Sequence, residues 1–474
     1  MNKKAACRIV SDSLGPREIP AGALYGAHTS RSLENFPISG RVLPMEIVRG
    51  MAWLKIAAAR ANARLGLLEK DKAAAIEAAA RRVVAGECDG EFGIDMFQAG
   101  SGTSSHMNLN EVVATLASRA LGRKVHPNDD VNMGQSTNDI FPSGGKIALR
   151  AEAAGLSAAL RELAEALAAK GREFAKVATC GRTHLQDAVP VTLGQKFAAY
   201  GTAVRRAAEG IAAAADGLAE LAAGGNAVGT GINAPAAFRG MLLRELNGLG
   251  VGKYKAAEDG LCATRFLTPF AAFTGACRSA AGVVGQVCND LRLMASGPRA
   301  GLGEIRLPAV EAGSSIMPGK VNPSICEAAN MACFHVAGLD HAVAAACAAG
   351  QLELNTHMPV VATDSLDAAR ILAGAARTLA RKCVAGIEAD AGRCTRHLEE
   401  SAALATLLSP KLGYDATAAL VKESVAAGKT LREIAAEKGI LTEKEYRALV
   451  AGGTKPNRAA PRAAGSRKGK GGAA

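Results

Sequence analysis

Two stretches, 146–178 and 194–223, continue well past the ~11-residue average helix without a single proline. Helices of that length bury their apolar faces against one another, which constrains the chain to a bundle. Ala, Leu, Glu and Arg dominate the long runs and only 4% of residues are aromatic, so the core is expected to be close-packed helices rather than sheets. The fold class is mainly α. The second stretch is Ala-rich on several faces and needs cover on most sides, more than one chain supplies. An oligomer is expected.

Composition shifts divide the chain. Residues 1–141 mix helical runs at 48–65 and 71–85 with polar, glycine-containing segments, as in an N-terminal helical domain whose loops carry chemistry. Residues 142–391 form the long-helix bundle and include the polar stretch 313–323. From 392 to 451 the helices shorten and Gly413, Gly428 and Gly439 punctuate them, as in a small helical C-terminal domain. Residues 452–474 are a basic tail, expected to be disordered, with Arg458, Arg462, Arg467, Lys468 and Lys470 among Ala, Gly and Pro.

With 474 residues and 49% hydrophobic content the chain can bury a large core. Its eleven cysteines form no CxxC pair and no metal-ligand spacing, and buried reduced thiols are expected. No apolar signal core follows Met1-Asn2-Lys3-Lys4, and no window reaches the ~18 uninterrupted apolar residues of a membrane span. A cytoplasmic protein without a membrane partner is expected. The net charge of +12 is spread beside acids and along the tail, without aromatic interleaving or a zinc or helix-turn-helix signature. That excludes nucleic acid as the expected partner and leaves a surplus that concentrates a small dianion.

Four polar clusters carry the chemistry: 100–110, 126–139, 181–187 and 313–322. The last, Gly313-Ser314-Ser315-Ile316-Met317-Pro318-Gly319-Lys320-Val321-Asn322-Pro323, packs hydroxyls, a cation, a carboxamide and two hinge-like glycines into one loop, an apparatus for holding a carboxylate. In the first, Gly100-Ser101-Gly102-Thr103-Ser104-Ser105 lets backbone approach a ligand while Thr103 presents a hydroxyl. It reads equally as a helix cap, with Ser104 or Ser105 as the capping residue, and a helix N-terminus also attracts anions. Gln135-Ser136-Thr137-Asn138-Asp139 again has cap chemistry. Upstream, Arg123, Lys124, His126, Asn128 and Asp129 fit either a second anion site or, the favoured reading, a loop tied down by its own side chains. Thr183 and His184 fall in a loop expected between long helices, with Glu327 a candidate to orient the imidazole.

These clusters, in this order and at about these spacings, resemble those of the aspartase/fumarase superfamily, over about residues 8 to 450. The resemblance implies a helical three-domain lyase. Its central bundle would assemble into the multi-helix core of a homotetramer, with active sites shared between subunits. It also implies elimination from a succinyl-type substrate to give fumarate, without cofactor or metal. Ser314, as an alkoxide, would be the general base, with His184 and Lys320 also catalytic. Thr103, Ser136, Thr137 and Ser315 would hydrogen-bond the carboxylate that becomes an enediolate. Lys320 and Asn322 would hold the other carboxylate, and Asn138, Thr183 and His184 would surround the leaving group.

Between members, Gly15-Pro16-Arg17-Glu18, Tyr25-Gly26-Ala27-His28-Thr29, Thr137, Asp187-Ala188-Val189-Pro190 and Gly350-Gln351-Leu352-Glu353-Leu354-Asn355 resemble aspartase. The run 123–132, Ser101 and Cys326-Glu327-Ala328 resemble fumarase. The balance leads to an expected loss of ammonia from L-aspartate, with class II fumarate hydratase as the alternative. His106 and Asn226 depart from both patterns, which have Asn and Thr there.

Overall fold

The computed structural model describes residues 6–454; most of the expected basic tail lies outside the described residues. The chain forms two compact units: Met1–Glu165, Thr202–Asp290 and Val310–Cys383 in the first, and Ala166–Gly201, Leu291–Ala309 and Val384–Ala474 in the second.

The first unit opens with the hairpin β1 (Cys7–Asp12) and β2 (Gly15–Pro20). The helices α1 (Ala27–Asn35), α2 (Met45–Arg64), α3 (Lys70–Val84) and α4 (Thr103–Leu121) follow. The remaining helices come next: the long α5 (Thr137–Glu173) and α6 (Leu193–Asp216), the short α7 (Phe238–Gly248) and α8 (Gly260–Arg265), and the long α9 (Thr268–Met294), α10 (Ser324–Ala348) and α11 (Met358–Lys382); α5 and α9 end, and α6 begins, in the second unit. At 37 residues α5 is the expected first long run, begun earlier and ended sooner. It contains Pro142, and the hydroxyl of Ser143 donates to the Asp139 carbonyl at 2.6 Å one turn back. The helix α6 stops at Asp216 rather than 223, where a 3-10 turn and a glycine-rich segment take over.

Charged side chains on solvent-facing edges tie the long helices together. Arg370 on α11 reaches Glu152 of α5 at 3.1 Å and Glu46 of α2 at 2.7 Å. Further along α11, Arg381 meets Glu162 at 2.5 Å. Helix α10 packs along α11 and buries Cys326, Ala329, Cys333, Val336, Leu339 and Val343 on one stripe. It is also long and apolar enough to cross a membrane by length and composition. Its other face leaves Met331 64% and Phe334 70% exposed.

In the second unit the antiparallel strands β3 (Ala178–Thr183) and β4 (Gln186–Thr192) replace the loop expected there. Five short helices follow: α12 (Ala391–Glu400), α13 (Ala405–Leu412), α14 (Tyr414–Ala427), α15 (Leu431–Glu437) and α16 (Glu443–Gly453). Cys180 of β3, Leu398, Leu404, Leu420, Leu431, Ile434 and Tyr446 form their core. Both α15 and α16 start with reciprocal capping boxes, Thr430 with Glu433 and Thr442 with Glu445. All eleven cysteines are free thiols and eight are buried, but Cys7 and Cys262 are exposed, against the expectation for the whole set.

One helix crossing sets the level of everything above it. A Cβ on Gly50 of α2 would lie 2.2 Å from the Gly144 carbonyl of α5, and one on Gly144 would lie 2.6 Å from Met51 Cγ. The two backbones touch, and only glycine permits it. Gly144→Ala is expected to destabilise the protein by about 1–3 kcal/mol through overpacking, read as a lower denaturant midpoint; a midpoint equal to wild type would contradict the close crossing.

Candidate functional site

The first cluster is a tight turn followed by a helix start. Gly100–Gly102 forms a single 3-10 turn with Ser101 at φ 59 and Gly102 at φ 86. A Cβ on Gly102 would lie 2.2 Å from the Phe141 ring, which adds a steric demand to the left-handed backbone. Helix α4 starts at Thr103 with Gly102 as its cap, so the capping role expected of Ser104 or Ser105 is corrected: both lie inside the helix and are buried. Instead Gln98 Oε1 accepts the Ser105 N–H at 2.9 Å. Thr103 stays partly exposed, its hydroxyl 3.3 Å from the Gly100 carbonyl and from the Ser101 hydroxyl.

The second cluster is the start of α5. Ser136 Oγ accepts the Asn138 N–H at 3.3 Å while Asp139 Oδ1 accepts the Ser136 N–H at 2.9 Å, a reciprocal cap. The other Asp139 oxygen accepts from Gly224 at 2.8 Å and Asn226 at 3.0 Å, and Asn138 Nδ2 donates to the Ala227 carbonyl at 2.8 Å. Asn226 itself sits at φ 59. The turn at 224–227 is thus docked on the helix end that presents Ser136, Thr137 and Asn138. Burial pushes the Asp139 carboxyl up to about 6, opposed by its three N–H donors and by the charge of Lys55.

Lys55, absent from the residues singled out in the sequence, links the two clusters. Fully buried on α2, its Nζ lies 2.7 Å from His106 Nε2 and 2.8 Å from Asn132 Oδ1. His106 Nδ1 lies 2.8 Å from Thr137 Oγ1, joining α4 to α5 across 31 residues of sequence. Burial holds Lys55 well below the usual amine range, opposed by the charge of Asp139. Burial and then the Lys55 charge hold His106 well below the usual imidazole range. The available signal was a single lysine between Leu54 and Ile56 in an Ala-rich helix.

The loop 313–323 closes on itself. The Gly313 N–H donates to the Lys320 carbonyl at 3.1 Å, and Asn322 Nδ2 donates to the Gly313 carbonyl. Ser314 Oγ accepts two backbone N–H groups, Ile316 at 3.2 Å and Met317 at 3.0 Å. Ser315 and Lys320 are exposed, Ser314 and Asn322 partly so, and Glu327 lies in the first turn of α10.

In the second unit, Thr183 pairs with Gln186 across the β3–β4 hairpin, leaving a two-residue turn of His184 (φ 55) and Leu185 (φ 60). Positive φ at both positions is the type I′ pattern, so His184 projects from a hairpin tip. One strand back, the buried Glu304 accepts from Thr179 at 2.9 Å, Arg182 at 2.8 Å and His397 at 3.0 Å.

In the 123–129 segment, Arg123 pairs with Glu69 at 2.6 Å and Asp71 at 2.5 Å. His126 Nδ1 accepts the N–H groups of Asn128 and Asp129, and Asp130 accepts the His126 N–H. Lys124 is exposed in the same segment. These contacts favour the loop held by its own side chains.

Asp139 faces three N–H donors with two acceptor oxygens, so an amide there must turn a donor toward a donor. Asp139→Asn is expected to lower stability by about 1–3 kcal/mol, measured as a fall in denaturant midpoint; an unchanged midpoint would show that the carboxylate does not hold the 224–227 turn.

Comparison with known proteins places the chain. A family profile described as "Lyase" matches residues 15–338, and one described as "Fumarase C C-terminus" matches 404–451. The class II fumarate hydratase of Corynebacterium glutamicum is 46% identical over 445 residues, 92% of this chain and 94% of that one. The enzyme of that name from Mycobacterium tuberculosis is 43% identical, with 92% of each chain covered. Among solved structures, a fumarate lyase:delta crystallin from Brucella melitensis superimposes with a TM-score of 0.91 at 44% identity, covering 94% of this chain and 98% of that one. The class II fumarase of Schistosoma mansoni gives 0.89 at 36%, with the same coverage.

The relatives' names overturn the expected leaning to aspartase. Several features counted for that leaning are scaffold: Arg17 binds Ser30 and Glu34, and Asn355 holds the carbonyls of Ala346 and Cys347. Clusters, fold and relatives agree that this chain belongs to the aspartase/fumarase superfamily of lyases.

Proposed function

We propose that the protein is a class II fumarate hydratase, interconverting L-malate and fumarate with loss or gain of water. The observation that carries the reading is the pair of backbone N–H groups aimed at Ser314 Oγ. A free serine hydroxyl is far too weak an acid to ionise near neutrality, and two preorganised donors lower the free energy of its alkoxide. The full-length similarity to class II fumarate hydratases supports this choice of leaving group.

In this reading the Ser314 alkoxide takes the proton from the malate carbon beside one carboxylate. The electron pair moves onto that carboxylate as an enediolate, whose second charge Thr103, Ser136, Thr137 and Ser315 offset by hydrogen bonds. Lys320 and Asn322 hold the other carboxylate. In sites shared between subunits, as the resemblance implies, Asn138, Thr183 and His184 would surround the hydroxyl, which would leave as water with a proton from His184, and Glu327 is the candidate to orient the imidazole. Closure of the 313–323 loop about Gly313 and Gly319 would exclude bulk water. We further infer a homotetramer with shared active sites, supported by the apolar face of α10 that a single chain leaves uncovered.

Fumarate absorbs in the ultraviolet, and L-malate and L-aspartate can be compared directly. Absorbance should rise with malate alone, and Ser314→Ala should abolish the rise without changing the thermal midpoint. A rise with aspartate alone would overturn the hydratase reading, and an active Ser314→Ala variant would remove Ser314 as the base.

A further inference from the structure

The chain from Lys55 through His106 to Thr137 has a direction, and hydrogen bonding sets it. Asn132 Nδ2 donates to the Gln135 carbonyl at 3.2 Å, so its Oδ1 faces Lys55 as an acceptor. The 2.7 Å contact between Lys55 Nζ and His106 Nε2 holds one proton: two N–H groups cannot point at each other, and two bare lone pairs would repel. Burial lowers the basicity of both groups, but the Asp139 charge raises Lys55 and the Lys55 charge lowers His106 further, so the order of their ordinary basicities decides which keeps it. An amine near pKa ~10.4 outbids an imidazole near ~6.5. Asp139, buried on α5, supplies the negative charge that offsets the ammonium.

With Lys55 donating to Nε2, the neutral imidazole carries its hydrogen on Nδ1, and that hydrogen points at Thr137 Oγ1, 2.8 Å away. The hydroxyl then accepts, and its own proton is free for another acceptor. Thr137 is the first residue of α5 and partly exposed, and among the described residues no protein acceptor for that proton is recorded.

We propose that His106 is a positioning residue. Pinned by Lys55, it donates Nδ1–H to Thr137 and so commits the Thr137 hydroxyl to donate to the substrate carboxylate. The inference rests on the hydratase reading, in which Thr137 touches that carboxylate. It requires one donor and one acceptor at position 106, and charge is not required.

Two substitutions of nearly equal size separate donor from bulk. Asparagine offers an oxygen to Lys55 and an N–H to Thr137, whereas aspartate accepts from both and turns the Thr137 proton inward while pairing with Lys55. His106→Asn is expected to keep most of the wild-type malate turnover. His106→Asp should lower kcat about a hundredfold, the usual loss of one preorganised donor, with a much smaller change in KM. Thr137→Val should match that loss in the wild type and add little to it in the His106→Asp background.

Should His106→Asp not assemble, Lys55→Met serves in its place: it fills the same buried space and frees His106 to take either tautomer. It is expected to lower kcat at least tenfold. Equal rates for His106→Asn and His106→Asp, full additivity with Thr137→Val, or wild-type kcat in Lys55→Met would overturn the inference alone. A wild-type protein silent with both malate and fumarate would overturn the hydratase reading beneath it.

Discussion

The amino group of Lys55, fully buried on α2, organises the first two clusters of the site. A buried charge is tolerated only when its hydrogen-bonding capacity is used and an opposite charge is near. Here the partners come from separate elements: His106 from α4, Asn132 from the turn before α5, and Asp139 from α5 itself. Meeting those needs places the N-termini of α4 and α5 side by side, and with them Thr103, Ser136, Thr137 and Asn138. The Gly50–Gly144 contact makes this possible. Lys55 follows Gly50 by five residues and Asp139 precedes Gly144 by five, so antiparallel helices in backbone contact bring them level. Asp139 extends the same logic to the 224–227 turn through its N–H partners.

Much of this was legible before any coordinates. The loop 313–323 declares itself by residue type, since glycines, proline, hydroxyls, a lysine and a carboxamide in one short run make neither a helix nor a strand. Proline-free length revealed the long helices, although their ends moved by several residues where capping contacts set them. Gly102 rather than Ser104 or Ser105 caps α4 because Ser101 and Gly102 adopt left-handed backbone, which side-chain preference alone does not foretell. The β3–β4 hairpin was missed because its turn is His184-Leu185, without the Asn-Gly or Asp-Gly that usually marks a two-residue turn. Lys55 was missed because one lysine in a helix normally marks the solvent face, and only tertiary packing turned it inward.

The distinction between ammonia and water as the leaving group was the least legible feature. The groups proposed to contact a dicarboxylate would serve either reaction, and a threonine hydroxyl at 137 donates as a serine hydroxyl would. Arg17 and Asn355, which tilted the sequence reading, tie down the first helix and the α10–α11 connection. Similarity along nearly the whole chain discriminates better because it averages over such positions.

A crystal structure of the protein with succinate, an unreactive dicarboxylate, tests most directly whether the Lys55-organised helix ends form the substrate site. One carboxylate should sit within hydrogen-bond distance of the Ser136 and Thr137 hydroxyls, with Lys320 and Asn322 on the other, and the Lys55–His106–Thr137 contacts should be unbroken. A dicarboxylate seated away from Thr137, or bound with His106 turned away from Lys55, would contradict the assignment.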